Sequence, residues 1–276
     1  MTRLLSRRTL LLGGAVGTVG ACGFRLLDGD GVPDGVVTGS FRSARLGDRE
    51  VGYAVARPRG HSTADGLPVV VSLHGRGQNH AAAFKTLHLD RTLHDVVGGG
   101  VGDGVPPFAL ASVDGGDHGY WHRRADGTDA GAMVVEEFVP LLAEQGLDTT
   151  RLGLHGWSMG GYGALLLAGR RRLPVRTLAV ASPALFSAAG NTPPGAFDDA
   201  SDFLRNDVYD RPQLLDGLQL RVDCGRSDPF YAATRRFVAG VVPRPVSSFG
   251  AGGHDAAYWR RIAPGQLTFL GRHLAG

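Results

Sequence analysis

The chain has 276 residues, of which 43% are hydrophobic and 20% are charged. This composition excludes disorder, coiled coils and collagen for most of the chain, and it suffices for one large α/β or β domain. The net charge of +3 comes from three arginines before residue 22, without which 26 basic residues balance 26 acidic ones. A neutral chain without a basic stripe gives no electrostatic case for a nucleic-acid partner.

The first 22 residues have the pattern of an export signal. An apolar run from about Thr9 to Ala21 follows a basic start. It is shorter than the roughly 20 residues that span a bilayer, so it predicts a signal peptide. SRRTLL at 6–11 resembles the twin-arginine export signal, and VGAC at 19–22 resembles a lipobox, in which Cys22 receives a lipid. The alternative is that Cys22 is an ordinary residue beside the cleavage site.

These features divide the chain into three parts. Residues 1–21 are predicted to be the signal peptide, residues 22–44 a tether that starts at the lipid-modified Cys22, and residues 45–276 one folded domain. The expected location is the outer face of the cytoplasmic membrane, with secretion as the alternative. Only Cys224 remains once Cys22 carries a lipid, so no disulfide within the chain is expected.

From about Gly47 onward, short apolar runs alternate with segments of helical periodicity. The first run alternates loosely, as in an antiparallel strand, and the later ones suit strands buried on both faces of a parallel sheet. The alternation predicts one α/β domain with a mostly parallel central sheet and helices on both faces. The predicted strands are Arg49–Ala56, Pro68–Leu73, Phe108–Val113, Arg151–His155, Leu178–Ser182, Leu218–Cys224 and Val246–Phe249. The predicted helices are His80–Val97, Ala132–Glu144, Gly160–Arg170, Tyr231–Val241 and a last one from about Asp255, which Pro264 breaks.

GWSMG at 156–160 fits the pattern G-x-S-x-G, which is weak evidence by itself in a chain with 43 glycines. A predicted strand precedes it and a predicted helix follows it, as in the sharp strand–turn–helix elbow that presents a nucleophilic serine. Ser158 is therefore the predicted nucleophile. The alternative is a glycine-rich turn without chemistry.

A serine nucleophile needs a base and an acid that orients the base. His254 lies in a glycine-rich loop after the last predicted strand, and Asp228 lies in the loop after the strand before it. The carboxyl ends of parallel strands meet at one edge of a sheet, so we predict a triad of Ser158, Asp228 and His254. Asp223 is the alternative acid, but it lies within a strand. Asp255 adjoins His254 and would point away from it.

The oxyanion hole of such a site needs two backbone N–H donors. We predict Met159, which follows the nucleophile, and Arg76, in the loop HGRGQ at 74–78. No metal ligands are predicted, because His118 and His122 lack a following glutamate on an evident helix. The irregular stretch 183–200 is interpreted equally as a flap over the site or a surface loop. The candidates for substrate contact are His74, Gly75, Tyr120, Trp121 and Trp157.

Five segments of the chain occur in an order that is more specific than any one of them: LHGRGQN, DGGDHGYWH, GWSMGGYGAL, DCGRSDPFY and GGHDAAYWR. Together they resemble the esterase family of α/β-hydrolases, which contains S-formylglutathione hydrolases, feruloyl and other carboxylesterases, and mycolyltransferases. The resemblance covers about residues 45–275. It implies an α/β-hydrolase fold for the catalytic domain, the triad Ser158, Asp228 and His254, and acyl-enzyme chemistry without a cofactor. Mycolyltransferases tend to have a glutamate as the acid, so Asp228 argues against that branch.

We therefore expect an exported, lipid-anchored serine hydrolase that cleaves carboxylic esters, either small molecules or acyl esters of the cell envelope. Two alternatives remain open. The same triad could transfer the acyl group to an alcohol of the cell envelope, or a surface binding lipoprotein could keep the fold without catalysis. The sequence gives no indication of the oligomeric state.

Overall fold

The computed structural model describes residue 33 and residues 35–98 and 104–275. The predicted signal peptide, the lipobox with Cys22 and the first part of the tether lie outside these residues. Within the described ranges, no helix has the length and apolar character needed to cross a membrane. The same ranges contain no group of three or more His, Cys, Asp or Glu side chains that could hold a metal ion.

One sheet forms the centre of the described chain. Its strands are β1 Val36–Ser43, β2 Arg49–Ala56, β3 Pro68–Leu73, β4 Ala109–Val113, β5 Asp148–Trp157, β6 Val175–Ala181, β7 Gln219–Asp223 and β8 Val246–Ser248. Their order across the sheet is β1-β2-β4-β3-β5-β6-β7-β8. β2 pairs antiparallel with β1 and β4, and all other neighbours are parallel. The predicted mostly parallel sheet is confirmed.

The helices cover both faces of this sheet. They are α1 Ala82–Lys85, α2 Leu89–Val97, α3 Ala130–Met133, α4 Val139–Glu144, α5 Met159–Gly169, α6 Ala200–Asn206, α7 Tyr231–Gly240 and α8 Ala256–Leu274, with a π-helical turn Val134–Phe138 between α3 and α4. Side chains alternate along β3, so that Val69 and Val71 join the core under α5 while Val70 joins the core under α2 and α8. The arrangement of helices on two faces is thus as predicted.

The sheet begins earlier in the chain than the sequence indicates. β1 lies within residues 22–44, the predicted tether, yet all eight of its residues pair with β2, from Val36 opposite Ala56 to Ser43 opposite Arg49. The paired sheet therefore includes Val36, which lies before the predicted boundary at residue 44. As an edge strand, β1 is only partly buried, so its sequence lacks the continuous apolar run of the central strands.

Two helices also differ from the prediction. The predicted helix His80–Val97 is divided into α1 and α2, because His88 adopts left-handed backbone angles with φ of 54°. The predicted break at Pro264 is wrong, since α8 continues through it. A proline removes one N–H from a helix, and here the buried face that includes Leu267 and Leu270 holds the helix against the sheet.

A buried histidine in β5 makes the stability of the fold depend on pH. The His155 Nδ1 atom lies 2.8 Å from the Ser72 hydroxyl and Nε2 lies 3.2 Å from Gln266 Oε1. Burial lowers the pKa of His155 from 6.5 to about 4. The unfolded chain therefore binds this proton more tightly, and the stabilisation is complete above pH 6.5 and is lost as the pH falls towards 4.

We expect the melting temperature to fall between pH 7.5 and pH 4.5 more steeply in the wild type than in His155→Asn. The lost stability corresponds to at most about 3 kcal/mol, at 1.36 kcal/mol for each pKa unit. Scanning calorimetry at several pH values measures this difference, and comparing slopes removes the constant packing cost of the substitution. Parallel pH profiles for the two proteins would rule out the role given to His155.

Candidate active site

The turn between β5 and α5 has the geometry of a nucleophile elbow. Ser158 separates the two elements and has φ of 55° and ψ of −122°, a backbone conformation that is costly for any residue with a side chain. The flanking glycines are required by close contacts. A Cβ atom at Gly160 would collide with the Leu73 carbonyl, and one at Gly156 would collide with the Gly160 carbonyl. The turn therefore presents the serine hydroxyl at the edge of the sheet.

Three loops at the carboxyl edge of the sheet bring the predicted triad residues together. The His254 Nε2 atom lies 2.8 Å from Ser158 Oγ, and Nδ1 lies 2.9 Å from Asp228 Oδ2. The loop with Asp228 and the loop with His254 are joined by backbone hydrogen bonds, including one of 2.9 Å from the Ser227 N–H to the Gly252 carbonyl. The sequence-predicted Ser158, His254 and Asp228 thus form one continuous line of hydrogen bonds.

The environment of Asp228 favours its ionised form. Burial raises the pKa of this carboxyl, but hydrogen bonds from His254, Ser182 and the Phe230 N–H outweigh burial, so that its pKa lies below the ordinary value. The Phe230 N–H donates to Oδ1 at 2.8 Å. An ionised Asp228 can accept the Nδ1–H of the imidazole, which leaves the Nε2 lone pair free to accept the proton of Ser158.

Asp223 and Asp255, the two other carboxylates considered as the acid, accept hydrogen bonds from groups other than His254. Asp223, at the end of β7, is fully buried and accepts hydrogen bonds of 2.8 and 3.2 Å from Arg221. Burial raises the pKa of Asp223, against the effect of this arginine. Asp255 caps α8 by accepting the Tyr258 N–H at 2.9 Å. The carboxylate that contacts the histidine is therefore Asp228, as the sequence predicted.

Two backbone N–H groups beside Ser158 are available as hydrogen-bond donors. Met159 is the first residue of α5, so its N–H has no carbonyl one turn earlier in the helix. Arg76 lies in the turn after β3, where the N–H groups of Gly77 and Gln78 both donate to backbone carbonyls. The Arg76 N–H has no acceptor among the described residues. These are the two groups that the sequence predicts for the oxyanion hole.

A cavity of about 540 Å³ opens in front of Ser158. Parts of residues 183–200 form its wall, so this stretch is not merely a surface loop. The Arg76 guanidinium donates to the Pro194 carbonyl at 3.3 Å and connects the loop 74–78 to that wall. The cavity lining combines apolar and aromatic side chains with polar groups. The apolar and aromatic side chains are Tyr120, Ala184, Phe186, Phe230 and Trp259, and the polar ones include Gln78, Asn191 and Thr192.

The predicted substrate contacts are only partly placed at this cavity. Gly75 and Tyr120 line it, and burial raises the pKa of the Tyr120 hydroxyl to about 12. His74, Trp121 and Trp157 are each 0% exposed. The structure does not place these three side chains at the cavity, because packing turns them into the core.

His74 instead connects the loop 74–78 to the turn after β4. Its Nδ1 donates to the Gly75 carbonyl at 2.8 Å, and its Nε2 accepts the Gly115 N–H at 3.0 Å. Burial lowers the pKa of His74, which favours the neutral ring that this pair of contacts requires. The edge-to-face contact with Trp121, at 5.1 Å between ring centroids, completes its surroundings.

Two polar side chains that support the site, Gln78 and Ser182, are not predicted from the sequence. Gln78 Oε1 accepts the Gly75 N–H at 3.2 Å and the Trp157 indole N–H at 2.7 Å. Ser182, with φ of 47°, accepts the indole N–H of Trp259 at 3.1 Å behind Asp228. Their only sequence signal is position, since each is a polar residue at the carboxyl end of a predicted strand or in the turn that follows it.

Solved structures share this architecture. A ferulic acid esterase superposes with a TM-score of 0.72 at 21% identity, over 87% of this chain and 98% of that chain. The S-formylglutathione hydrolase of Agrobacterium tumefaciens gives 0.67 at 17% identity, over 87% and 96%. The fluorophosphonate-binding serine hydrolase F of Staphylococcus aureus gives 0.67 at 19% identity, over 85% and 97%. At these identities the comparison establishes the fold.

The family follows from the sequence match. No curated protein matches the chain significantly. Residues 43–268 match the family described as "Putative esterase". That range includes the elbow, both loops that reach it and the whole cavity wall. The chain, with its mostly parallel sheet and its serine at a strand–helix elbow, belongs to this esterase family of α/β-hydrolases.

Proposed function

We propose that this protein is a serine hydrolase that cleaves carboxylic esters through an acyl-enzyme. The observation that carries the proposal is the line of hydrogen bonds from Asp228 through His254 to Ser158, with lengths of 2.9 and 2.8 Å, beside an open cavity. A serine hydroxyl becomes an effective nucleophile when a base within hydrogen-bond reach takes its proton. Membership of the esterase family supports an ester as the substrate.

The reaction has two halves that use the same groups. Ser158 Oγ attacks the ester carbonyl while His254 Nε2 accepts the hydroxyl proton, and the N–H groups of Met159 and Arg76 donate to the oxyanion. The tetrahedral intermediate then expels the alcohol, which takes the proton from His254. In the second half, His254 removes a proton from water, the hydroxide attacks the acyl carbonyl, and Ser158 leaves with that proton as the acid is released.

The cavity wall supports esters with an apolar or aromatic acyl part. Tyr120, Phe186 and Phe230 line the same cavity as Ser158. The ring centroids are 5.9 Å apart for Tyr120 and Phe186 and 5.4 Å apart for Phe186 and Phe230. Apolar groups gain about 25 cal/mol for each Å² removed from water, so a longer or aromatic acyl chain gains binding energy on this wall. The names of two similar structures, a ferulic acid esterase and an S-formylglutathione hydrolase, are consistent with acyl-ester chemistry.

A panel of p-nitrophenyl esters with increasing acyl length tests the proposal, together with labelling by a fluorophosphonate. We expect turnover of the panel and covalent labelling of the wild-type protein. The products are then analysed in the presence of a competing alcohol. Free acid as the main product supports hydrolysis. A new ester as the main product would show that the enzyme transfers the acyl group to the alcohol instead. Absence of both turnover and labelling would contradict an enzymatic function.

We also propose that the protein is exported and held at the outer face of the cytoplasmic membrane by lipid on Cys22. The sequence at 6–11 and 19–22 supports this location. The fold is compatible with it, because the first strand starts at Val36, opposite the end of β2, whereas Ser158 lies at the carboxyl edge of the parallel strands. The chain therefore enters the sheet at the edge opposite the cavity.

Cys22→Ser is expected to move the protein from the membrane to the soluble exported fraction with its esterase activity intact. Two or more acyl chains hold a protein stably at a membrane, whereas one holds it only marginally. Fractionation after a high-salt wash and mass spectrometry of the mature N-terminus measure the outcome. As a control for export itself, Arg7→Lys with Arg8→Lys should keep the protein in the cytoplasm. An unmodified mature N-terminus at another residue would argue against a lipid anchor.

A further inference from the structure

The two donors of the oxyanion hole belong to different segments of the chain. The Arg76 N–H lies in the turn after β3, and the Met159 N–H lies at the start of α5. A tetrahedral oxyanion must accept both hydrogen bonds at once, so the spacing of these two segments affects catalysis directly. We propose that Gln78 is a positioning residue that fixes this spacing. The inference rests on the proposed ester hydrolysis.

One side-chain oxygen connects the two segments. Gln78 Oε1 accepts the backbone N–H of Gly75 at 3.2 Å and the indole N–H of Trp157 at 2.7 Å. Gly75 immediately precedes Arg76, and Trp157 is two residues before Met159. The amide of Gln78 therefore holds one donor segment against the other through two hydrogen bonds to a single atom.

The partners of Gln78 are themselves fixed. The Trp157 ring is fully buried at the end of β5. The Gly75 carbonyl accepts the Gln78 N–H at 3.3 Å and contacts His74 Nδ1 at 2.8 Å. Space at Gly75 is closed, since an added Cβ would lie 2.9 Å from Gln78 Oε1 and 3.0 Å from Trp157 Nε1. If the Gln78 amide moved, the hydrogen bonds that its Oε1 accepts from Gly75 and Trp157 would therefore be lost, and no neighbouring group would replace them.

The chemistry of the partners also fixes the orientation of the amide. Both groups that meet Gln78 are N–H donors, and an amide nitrogen has no lone pair to accept them. The oxygen must face Gly75 and Trp157, so the NH₂ group is at the other end of the amide. Loss of this oxygen would leave two donors unpaired, the indole N–H of Trp157 among them, and would loosen both segments.

Such a role predicts a specific kinetic effect. The negative charge on the carbonyl oxygen develops only in the transition state, so a misplaced donor lowers kcat more than it raises KM. We expect Gln78→Leu, which is similar in size and has no acceptor, to lower kcat about 10- to 100-fold. KM should stay within about threefold of the wild type. The affinity for an alkylboronic acid, which forms a tetrahedral adduct on Ser158, should fall in parallel with kcat.

A neighbouring amide provides the matched control. Asn79 lies in the same loop, is exposed, and its Oδ1 accepts the nearby Ala81 N–H at 3.1 Å. Asn79→Ala removes an amide from this loop and leaves the contacts of Gly75 and Trp157 in place. We expect kcat and boronic acid affinity of Asn79→Ala to stay close to those of the wild type. Circular dichroism and melting temperature of each variant show that the comparison is between folded proteins.

Trp157→Phe tests the same link from its other side and does not depend on the folding of Gln78→Leu. It removes the indole N–H and keeps an aromatic ring in the core, and we expect a smaller loss of kcat. In the double variant Gln78→Leu with Trp157→Phe, the two losses should not add, because both variants break one shared hydrogen bond. Additive losses would show that the two side chains act independently, against the proposal.

Unchanged kcat in folded Gln78→Leu would overturn the inference, as would a rise in KM alone, which would make Gln78 a group that binds the ground state. These results are distinguishable from failure of the proposed function. If the wild type hydrolyses no ester and resists the fluorophosphonate, the hydrolase proposal itself fails. If the wild type is active, the outcome of Gln78→Leu concerns this residue alone.

Discussion

Ser158→Ala is expected to abolish fluorophosphonate labelling and to lower kcat for p-nitrophenyl esters by about 10⁴- to 10⁶-fold, because triad members act as a unit. The hydroxyl that it removes is the group 2.8 Å from His254 Nε2, so no nucleophile remains in contact with the base. Alanine has the same Cβ as serine and adds no new strain at the φ of 55°. The protein should therefore remain folded, as measured by circular dichroism and melting temperature.

Two further variants are compared with Ser158→Ala. His254→Ala should cost a factor comparable to that of Ser158→Ala, since either change leaves the other residue without its partner. Ser187→Ala is the matched control, because this exposed serine lies on the 183–200 stretch near the cavity but not in its wall. It should label like the wild type. Retained labelling of Ser158→Ala would show that another residue is the nucleophile.

The strands near the active site could be predicted because the pattern that indicates a strand lies within a few consecutive residues. β3 and the carboxyl-terminal parts of β5 and β6 are buried, so each appears in the sequence as a short apolar run. Ser158 follows β5, whereas Asp228 and His254 follow β7 and β8, which are less buried. All three strands are parallel and end at one edge of the sheet. Residue order, strand ends and the G-x-S-x-G elbow together therefore predicted that these three side chains meet.

The supporting residues could not be predicted because their partners are far apart in the chain. Gln78 and Trp157 are 79 residues apart, and Ser182 and Trp259 are 77 apart. No periodicity links such pairs. The same reason explains why His74, Trp121 and Trp157 do not line the cavity, since their residue types are common in binding sites but their orientation depends on tertiary packing. Tertiary packing decides which side chains of a loop are buried and which face the substrate. The sequence of one chain does not show this packing.

Asp228→Asn is expected to lower kcat by about 10⁴-fold in a folded protein, by the mechanism known for the same exchange in the serine protease triad. An asparagine can present its NH₂ group to His254 Nδ1, which then has to be the unprotonated nitrogen. The proton moves to Nε2, and the imidazole can no longer accept the proton of Ser158. The measurement is kcat at neutral pH, where the lowered pKa of Asp228 keeps the wild-type carboxylate ionised.

Asp223→Asn is the comparison that tests the choice of acid. Asp223 is buried against Arg221, with contacts of 2.8 and 3.2 Å, and removing one charge of a buried pair leaves the other uncompensated. Its substitution should therefore lower the melting temperature, while turnover of the protein that remains folded changes much less than in Asp228→Asn. If kcat instead fell further in folded Asp223→Asn, the orienting acid would be Asp223. The line of hydrogen bonds through His254 would then not be the catalytic one, because its carboxylate end is Asp228.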